Sequence, residues 1–225
     1  ARGKLPIVAG GTGLYLDSLL SGRTFAPFSP DGGLRARLEA RFDALGGEAM
    51  LGELAAADPE AAARLHPNDR KRIVRALEVF QQTGKTISQH NRETRALPLR
   101  YDALTLSLAF QRREDMWARI DRRVDEMMAA GLAEEVRALL DSGVPVRCTA
   151  MQAIGYKEMA AALRGGGDVC AAAEEIKLRS RQYAKRQLTW FRRTEGAKWL
   201  FWGPEPDFEA ACRTSTKYLE EFGLV

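Results

Sequence analysis

Apolar residues recur at helical spacings along most of this chain, and only three short stretches carry a strand-like pattern. Leu34, Leu38, Phe42 and Leu45 follow one another by three or four positions, as do Ile73, Ala76, Leu77 and Phe80 around one helix face. Met116, Ile120, Val124, Met127 and Met128 trace a long helix that breaks near Gly131, and Val136, Leu139 and Leu140 line the next. Against these stand Leu5–Ala9, a continuous apolar run; Tyr101–Phe110, where Leu104, Leu106 and Leu108 alternate; and Lys198–Trp202, an expected edge strand. Two or three strands are fewer than the roughly four to six of an ordinary sheet. The pattern therefore permits an α/β protein that is mostly helical by content and whose sheet is incomplete within this chain.

Turn and cap residues divide the chain further. Leu5–Ala9 reads as a buried strand running into Gly10-Gly11-Thr12-Gly13, with a helix from Leu14 to Leu20 that ends near Gly22. Phe25 to Pro30 has the composition of a linker. A helical block follows, with a stop at Gly46-Gly47, an N-cap and first-turn pair at Asp58-Pro59, a cap at Asn68 or Asp69, and a close at Ala96-Leu97-Pro98. The long helix from Cys170 to about Arg193 comes after the Gly165–Gly167 loop, and a last helix spans Phe208 to Phe222. The expected organisation is an α/β core of residues 1–29 and 99–225, interrupted by an all-helical insertion of residues 30–98.

Charge narrows the partners. With 34 Lys and Arg against 30 Asp and Glu, the net charge is only 34 − 30 = +4, but it is unevenly placed. Lys177, Arg179, Arg181, Lys185, Arg186, Arg192 and Arg193 fall in one stretch without an acid, and Arg64, Arg70, Lys71, Arg72 and Arg75 share another with Asp69 alone. Such clusters attract phosphate-rich partners, although a basic run by itself is more often a solvated helix face. No apolar run approaches the ~18 residues of a membrane span, and no charged-then-apolar leader opens the chain. Ala1 stands directly ahead of the apolar run, so the chain is expected to be part of a longer protein with some of its site upstream. Cys148, Cys170 and Cys212 form neither a disulfide framework nor a C-x-x-C pair, and with His66 and His90 they make no zinc site; a cytoplasmic setting fits.

Three motifs carry potential chemistry. Gly84-Lys85-Thr86 matches the end of a phosphate-binding P-loop, but Val79 stands where that pattern needs its first glycine, and a polar helix precedes it; Gly84 reads as a helix C-cap. Gly10-Gly11-Thr12-Gly13 admits close backbone approach and offers a hydroxyl beside a helix start, a ligand loop or a plain tight turn. The long basic helix interleaves Tyr183, Trp190 and Phe191 with its cations, a composition that suits a nucleic-acid backbone with bases to stack. No Ser/His/Asp set, carboxylate pair or metal cluster accompanies them.

Read in order, Leu5-Pro6-Ile7-Val8-Ala9-Gly10-Gly11-Thr12-Gly13-Leu14-Tyr15, Asp58-Pro59 with His66-Pro67-Asn68-Asp69, Arg72–Val79 with Thr83-Gly84, Ala153–Glu158, and Tyr183–Arg192 resemble the tRNA dimethylallyltransferases, the bacterial tRNA isopentenyltransferases. The resemblance covers nearly the whole chain. It implies a P-loop-NTPase-like core, incomplete here, with an inserted all-helical tRNA-binding subdomain. It implies transfer of a dimethylallyl group from dimethylallyl diphosphate to N6 of the adenosine just 3′ of the anticodon, with Mg2+ whose ligands lie largely outside this chain. The expected partners are a tRNA anticodon stem-loop and dimethylallyl diphosphate, with no membrane, in a monomer.

The resemblance also assigns residues. Thr12 falls at the target nucleotide, within a substrate loop of Gly10, Gly11 and Gly13. Arg35 matches an arginine that touches tRNA. Lys71, Arg72, Ile73, Val74 and Arg75 match a segment on the anticodon stem-loop, and Gln152, Gly155, Tyr156 and Lys157 a second. Lys185, Arg186, Gln187, Thr189, Trp190 and Arg192 match a third, and Arg123 an arginine near the substrate diphosphate. The family's P-loop and its general-base aspartate precede the Gly-Gly-Thr-Gly segment, so these 225 residues alone are expected to be inactive. Two other readings stay open: an enzyme that prenylates free adenine nucleotides, and a non-catalytic RNA-binding module.

Overall fold

A computed structural model describes residues 3–22 and 33–224. The elements are α1 (Gly13–Ser21), α2 (Gly33–Ala57), α3 (Pro59–Ala62), α4 (Arg70–Thr83), α5 (Ile87–Arg95), β1 (Leu106–Phe110), α6 (Arg113–Ala129), α7 (Leu132–Asp141), a 3-10 turn at Ala150–Gln152, α8 (Tyr156–Gly165), α9 (Val169–Phe191), β2 (Lys198–Trp202) and α10 (Phe208–Glu221). The protein is mostly helical, with a small parallel sheet in which Leu106 lies opposite Lys198 and Phe110 opposite Trp202. No described helix is long and apolar enough to cross a membrane.

Two compact units emerge, residues 1–13 with 104–225, and residues 14–103. Helix α1 thus groups with the helical unit, whereas a division at 29/30 placed it with the core. The unit of 14–103 is built on Leu38, Met50, Leu54, Ala62, Ile73, Val74, Ala76 and Leu77, supplied by α2, α3 and α4. Each fully buried Leu, Ile or Met there contributes roughly 1.5–3 kcal/mol relative to exposure. The other unit packs Val124, Leu132, Val136, Met151, Met159, Ala172 and Ile176 from α6 to α9 into a second core.

Glycine and cap chemistry set the element ends. Gly46, at φ 81° and ψ 166°, kinks α2 at the Gly46-Gly47 stop the sequence marks. The Gly84 N–H donates to the Phe80 carbonyl at 2.8 Å with φ +69°, a left-handed C-cap of α4. Thr86 and Gln89 then close a reciprocal capping box on α5, and the Lys85 ammonium meets Glu93 at 2.9 Å. Gly-Lys-Thr is therefore a turn between helices with its lysine paired to a carboxylate.

One expected strand is absent. Residues 3–10 form no regular structure, and Ile7 is 87% exposed. An apolar run becomes a strand only where a neighbouring backbone completes its ladder. Among the described residues β1 and β2 pair with each other, and Leu5–Ala9 joins neither. The linker at 25–30 lies outside the described residues. Helices α5 and α8 add to the elements the periodicity predicts; both are short, and α5 has few apolar residues.

Asp58 joins three segments of the helical unit. One carboxylate oxygen accepts from the Ala61 N–H at 3.0 Å, capping α3, and the other accepts from the Ser88 N–H at 3.0 Å in the first turn of α5. Burial works to raise its pKa, but the hydrogen bonds from Ser88 and Ala61, with Arg92 nearby, outweigh it and hold the pKa below the ordinary 3.8. A carboxyl lowered in this way stabilises the fold above pH 3.8 and loses that contribution as the pH falls through its lower folded value. Asp58→Asn should therefore cost about 1–2 kcal/mol near neutrality by urea denaturation. The gap to the parent should narrow as the pH drops below about 4; a gap that is constant with pH would remove the charge from this role.

Candidate nucleic-acid interface

The glycine loop ahead of α1 lies against the C-terminal half of α9. The Gln187 Nε2 donates to the Gly11 carbonyl at 3.0 Å. A Cβ built on Gly11 would overlap that same amide, and one on Gly13 would overlap the Trp190 indole. At Gly13 the rigid Trp190 ring occupies the space a side chain would take, whereas at Gly11 only the flexible end of Gln187 stands in the way and it can move aside. Thr12, between them, is exposed, and Gly10 has open space around it. Thr12 is thus exposed while its two neighbours meet side chains of the basic helix.

Helix α9 divides its cations into two sets. Lys177 sits between Asp125 of α6 at 2.6 Å and Glu174 at 2.8 Å, and hydrogen bonds to these two carboxylates push its pKa well above the ordinary lysine value. Arg179 pairs with Glu175 at 2.6 Å. An Arg181 guanidinium nitrogen donates to both oxygens of Asp121, at 2.9 and 2.7 Å, tying α9 to α6 again. These three are structural. Further along, Lys185, Arg186, Arg192 and Arg193 pair with no carboxylate among the described residues. Arg186 stacks over Tyr183 at 5.7 Å, and Tyr183 and Trp190 are both exposed. The Thr189 hydroxyl donates back to the Lys185 carbonyl at 2.9 Å, which leaves it only as an acceptor. Unpaired cations with exposed aromatic faces can hold phosphates and stack on unpaired bases.

The start of α8 adds to this unit. A groove of about 670 Å³ brings Gln152 and Lys157 together with Arg179, Gln182 and Arg186 of α9. The Gln152 amide donates to the Val146 carbonyl at 2.8 Å. Gly155 is buried at φ +104°, and its N–H donates to Glu158 at 2.9 Å. Tyr156 donates to Glu135 at 2.6 Å, a bond to a carboxylate that raises the phenol pKa. Gly155 and Tyr156 thus shape the turn, and Lys157 supplies the exposed charge. Arg123 stands apart on an exposed stretch of α6, 3.8 Å from Glu126.

In the unit of 14–103, α4 carries the second basic cluster. Lys71 and Arg72 are exposed and unpaired among the described residues. Arg75 donates to the buried Glu78 at 2.7 Å, and Arg35 approaches the same carboxylate oxygen at 3.9 Å. Ile73 and Val74 correct the expectation for this segment: both lie in the core, essentially without exposure, so their side chains pack and do not reach a ligand. Glu78 was missed in the sequence, although its place three residues after Arg75 on an otherwise apolar face was a readable signal. Among the described residues no cluster of three or more His, Cys, Asp or Glu is placed to hold a metal. No step below runs through Mg2+.

Each unit thus carries its own basic face, one on α9 against the glycine loop and one on α4. The model of the IPP transferase family matches residues 1–194, and the chain belongs to that family. It is 51% identical over 199 residues to tRNA dimethylallyltransferase 1 of Trichlorobacter lovleyi, covering 88% of this chain and 65% of that one. It is 44% identical over 208 residues to the tRNA dimethylallyltransferase of Bacillus subtilis, covering 92% and 65%. The full-length tRNA isopentenylpyrophosphate transferase of Bacillus halodurans superposes with a TM-score of 0.63 at 34% identity, over 98% of this chain and 67% of that one. A eukaryotic dimethylallyltransferase acting on tRNA superposes with a TM-score of 0.70 at 26% identity, over 98% and 58%. The chain spans about 65% of the length of the curated relatives it matches.

The two glycine contacts make a paired prediction. Gly13→Ala must displace the Trp190 ring and should cost roughly 1–3 kcal/mol, with a changed tryptophan emission spectrum. Gly10→Ala meets nothing and should stay within about 0.5 kcal/mol with the parent spectrum. Equal behaviour of the two variants would remove the loop from α9.

Proposed function

We propose that this chain forms the RNA-gripping and target-positioning part of a tRNA dimethylallyltransferase. The reaction moves a dimethylallyl group from dimethylallyl diphosphate to N6 of the adenosine 3′-adjacent to the anticodon. The observation that carries this reading is the contact of Gly11 and Gly13 with Gln187 and Trp190, on the helix that carries Lys185 and Arg186, with Thr12 exposed between the two glycines. The names and structures of the relatives support the same assignment.

The adenine amine attacks the allylic carbon, the C–N bond forms as the C–O bond to diphosphate breaks, and the nitrogen gives up a proton. An enzyme must hold the base, neutralise the leaving diphosphate and accept that proton. In this chain Thr12 would hydrogen-bond the extruded purine, since a base in an anticodon loop leaves its stack more easily than one in a duplex. Trp190 offers a stacking face, and Lys185, Arg186, Arg192 and Lys157 would hold the backbone, with Lys71, Arg72, Arg75 and Arg35 on the helical unit gripping the stem. Arg123 would lie toward the diphosphate. The core is read as the C-terminal part of a P-loop-NTPase-like domain with residues 30–98 inserted, acting as a monomer in the cytoplasm with Mg2+ supplied at the diphosphate.

Titration with an anticodon stem-loop at several salt concentrations tests the grip. Arg192→Ala should flatten the slope of log K against log salt by about 0.7–0.9, with an unchanged melting temperature. Arg181→Ala should lower the melting temperature and leave the slope alone, because its charge is spent on Asp121. In the full-length protein, Thr12→Ala should slow prenyl transfer more than it weakens binding. Competition by AMP as effective as that by tRNA would favour the free-nucleotide reading, and binding without turnover would favour the RNA-binding module.

A further inference from the structure

The α4 face carries one residue that its surface charges do not explain. Glu78 lies among Ile73, Val74, Ala76, Leu77 and Val79 with its side chain only 2% exposed. A lone carboxylate there would be strongly unfavourable, and a leucine would fill the space without that cost. Instead its Oε2 accepts from the Arg75 guanidinium at 2.7 Å, one turn back on α4. The guanidinium of Arg35, from the first turn of α2, stands 3.9 Å from that same oxygen, and Arg35 also reaches Glu39 at 3.5 Å. Both arginine side chains remain partly open, 30% for Arg75 and 37% for Arg35.

We propose that Glu78 is the positioning residue of this basic face, a buried carboxylate that holds the guanidiniums of Arg75 and Arg35 together, from two helices, for the phosphates of an RNA stem. The proposal rests on the RNA-gripping role given above. Two unsecured guanidiniums at this separation would repel and spread over many rotamers. A shared anionic anchor draws them together and removes that freedom before the ligand arrives. A guanidinium has five donors, so one contact to Glu78 does not exhaust what it can offer a phosphate oxygen. Lys71 and Arg72 lie one turn ahead of Arg75, at helical spacings of four and three, and extend the same basic face without a carboxylate of their own.

The sign of one substitution separates positioning from bulk charge. Glu78→Gln keeps the shape and adds one net positive charge, so electrostatics alone predicts tighter RNA binding. Positioning predicts the opposite. In titrations of the 225-residue chain with an anticodon stem-loop hairpin, Glu78→Gln should weaken binding by about three- to tenfold. In an Arg35→Ala/Arg75→Ala background the same change should alter affinity by less than about twofold, there being nothing left to position. Unchanged or tighter binding by Glu78→Gln, or an undiminished penalty in that background, overturns the proposal. Should Glu78→Gln fail to fold, the cycle of Arg35→Ala, Arg75→Ala and their combination decides: coupling above about threefold supports a shared anchor, and additivity within about twofold overturns it. A parent chain that shows no salt-dependent binding overturns both this proposal and the reading beneath it. If Arg192→Ala weakens binding and Glu78→Gln does not, the proposal alone fails.

Discussion

The contact of Gly11 and Gly13 with Gln187 and Trp190 is the constraint on which the rest of the site depends. A loop without regular structure on its N-terminal side has few internal means of holding its shape. Here α9 does that work, with one hydrogen bond to a carbonyl and one indole surface, and the indole occupies the space of a side chain at Gly13. Helix α9 is itself immobilised further back, where Ala172 and Ile176 enter the core and Lys177 and Arg181 clasp α6. Position therefore passes from the core to the first half of α9, then along a continuous helix to Gln187 and Trp190, and from there to Thr12. A helix suits this because its backbone bonds transmit a fixed orientation over several turns.

The same helix shows why charge counted along a sequence overstates charge available to a ligand. Seven cations without an acid between Lys177 and Arg193 look like one basic stripe, yet three of them are consumed by carboxylates, two of those carboxylates lying on α6. A pair of this kind is close to neutral at the distance of a phosphate, while Lys185, Arg186, Arg192 and Arg193 keep their full attraction. In the helical unit Arg64 and Arg70 are likewise taken up by Glu60 and Asp43, the hydrogen bond of the second pair raising the pKa of Arg70 and lowering that of Asp43. What remains there is Lys71 and Arg72, with Arg75 and Arg35 gathered on Glu78.

Legibility in the sequence followed the range of the physics. Caps and helix stops are local, so Gly46, Asp58, Gly84 and Gly131 could be read from a few residues each, and the structure places helix breaks or caps at all four. Thr86 and Gln89 form an equally local signal, a capping box, and α5 was missed only because few apolar residues follow it. Strand formation is not local. Within the 101–110 stretch Leu106–Phe110 found a partner in Lys198–Trp202 and became β1, while Leu5–Ala9 joins neither strand among the described residues. Ion-pair partners are the least legible, since nothing near Lys177 in sequence announces Asp125 across a helix interface.

A related limit applies to segments carried over from a resemblance. Lys71 to Arg75 is five consecutive residues, and at 3.6 residues per turn five consecutive positions cannot all face one ligand. Ile73 and Val74 occupy the core side, which fixes Lys71, Arg72 and Arg75 as the outward set without reference to any RNA. Glu78 extends the argument one turn further. It sits at the border between the two sides, its carboxylate sealed by the core residues around it and its ligands on the open face. A residue at that border can be buried and charged at once, because its burial supplies rigidity while the surface arginines supply its counter-charge. The boundary of an amphipathic helix, more than the middle of either face, is where a core can set the geometry of a binding surface.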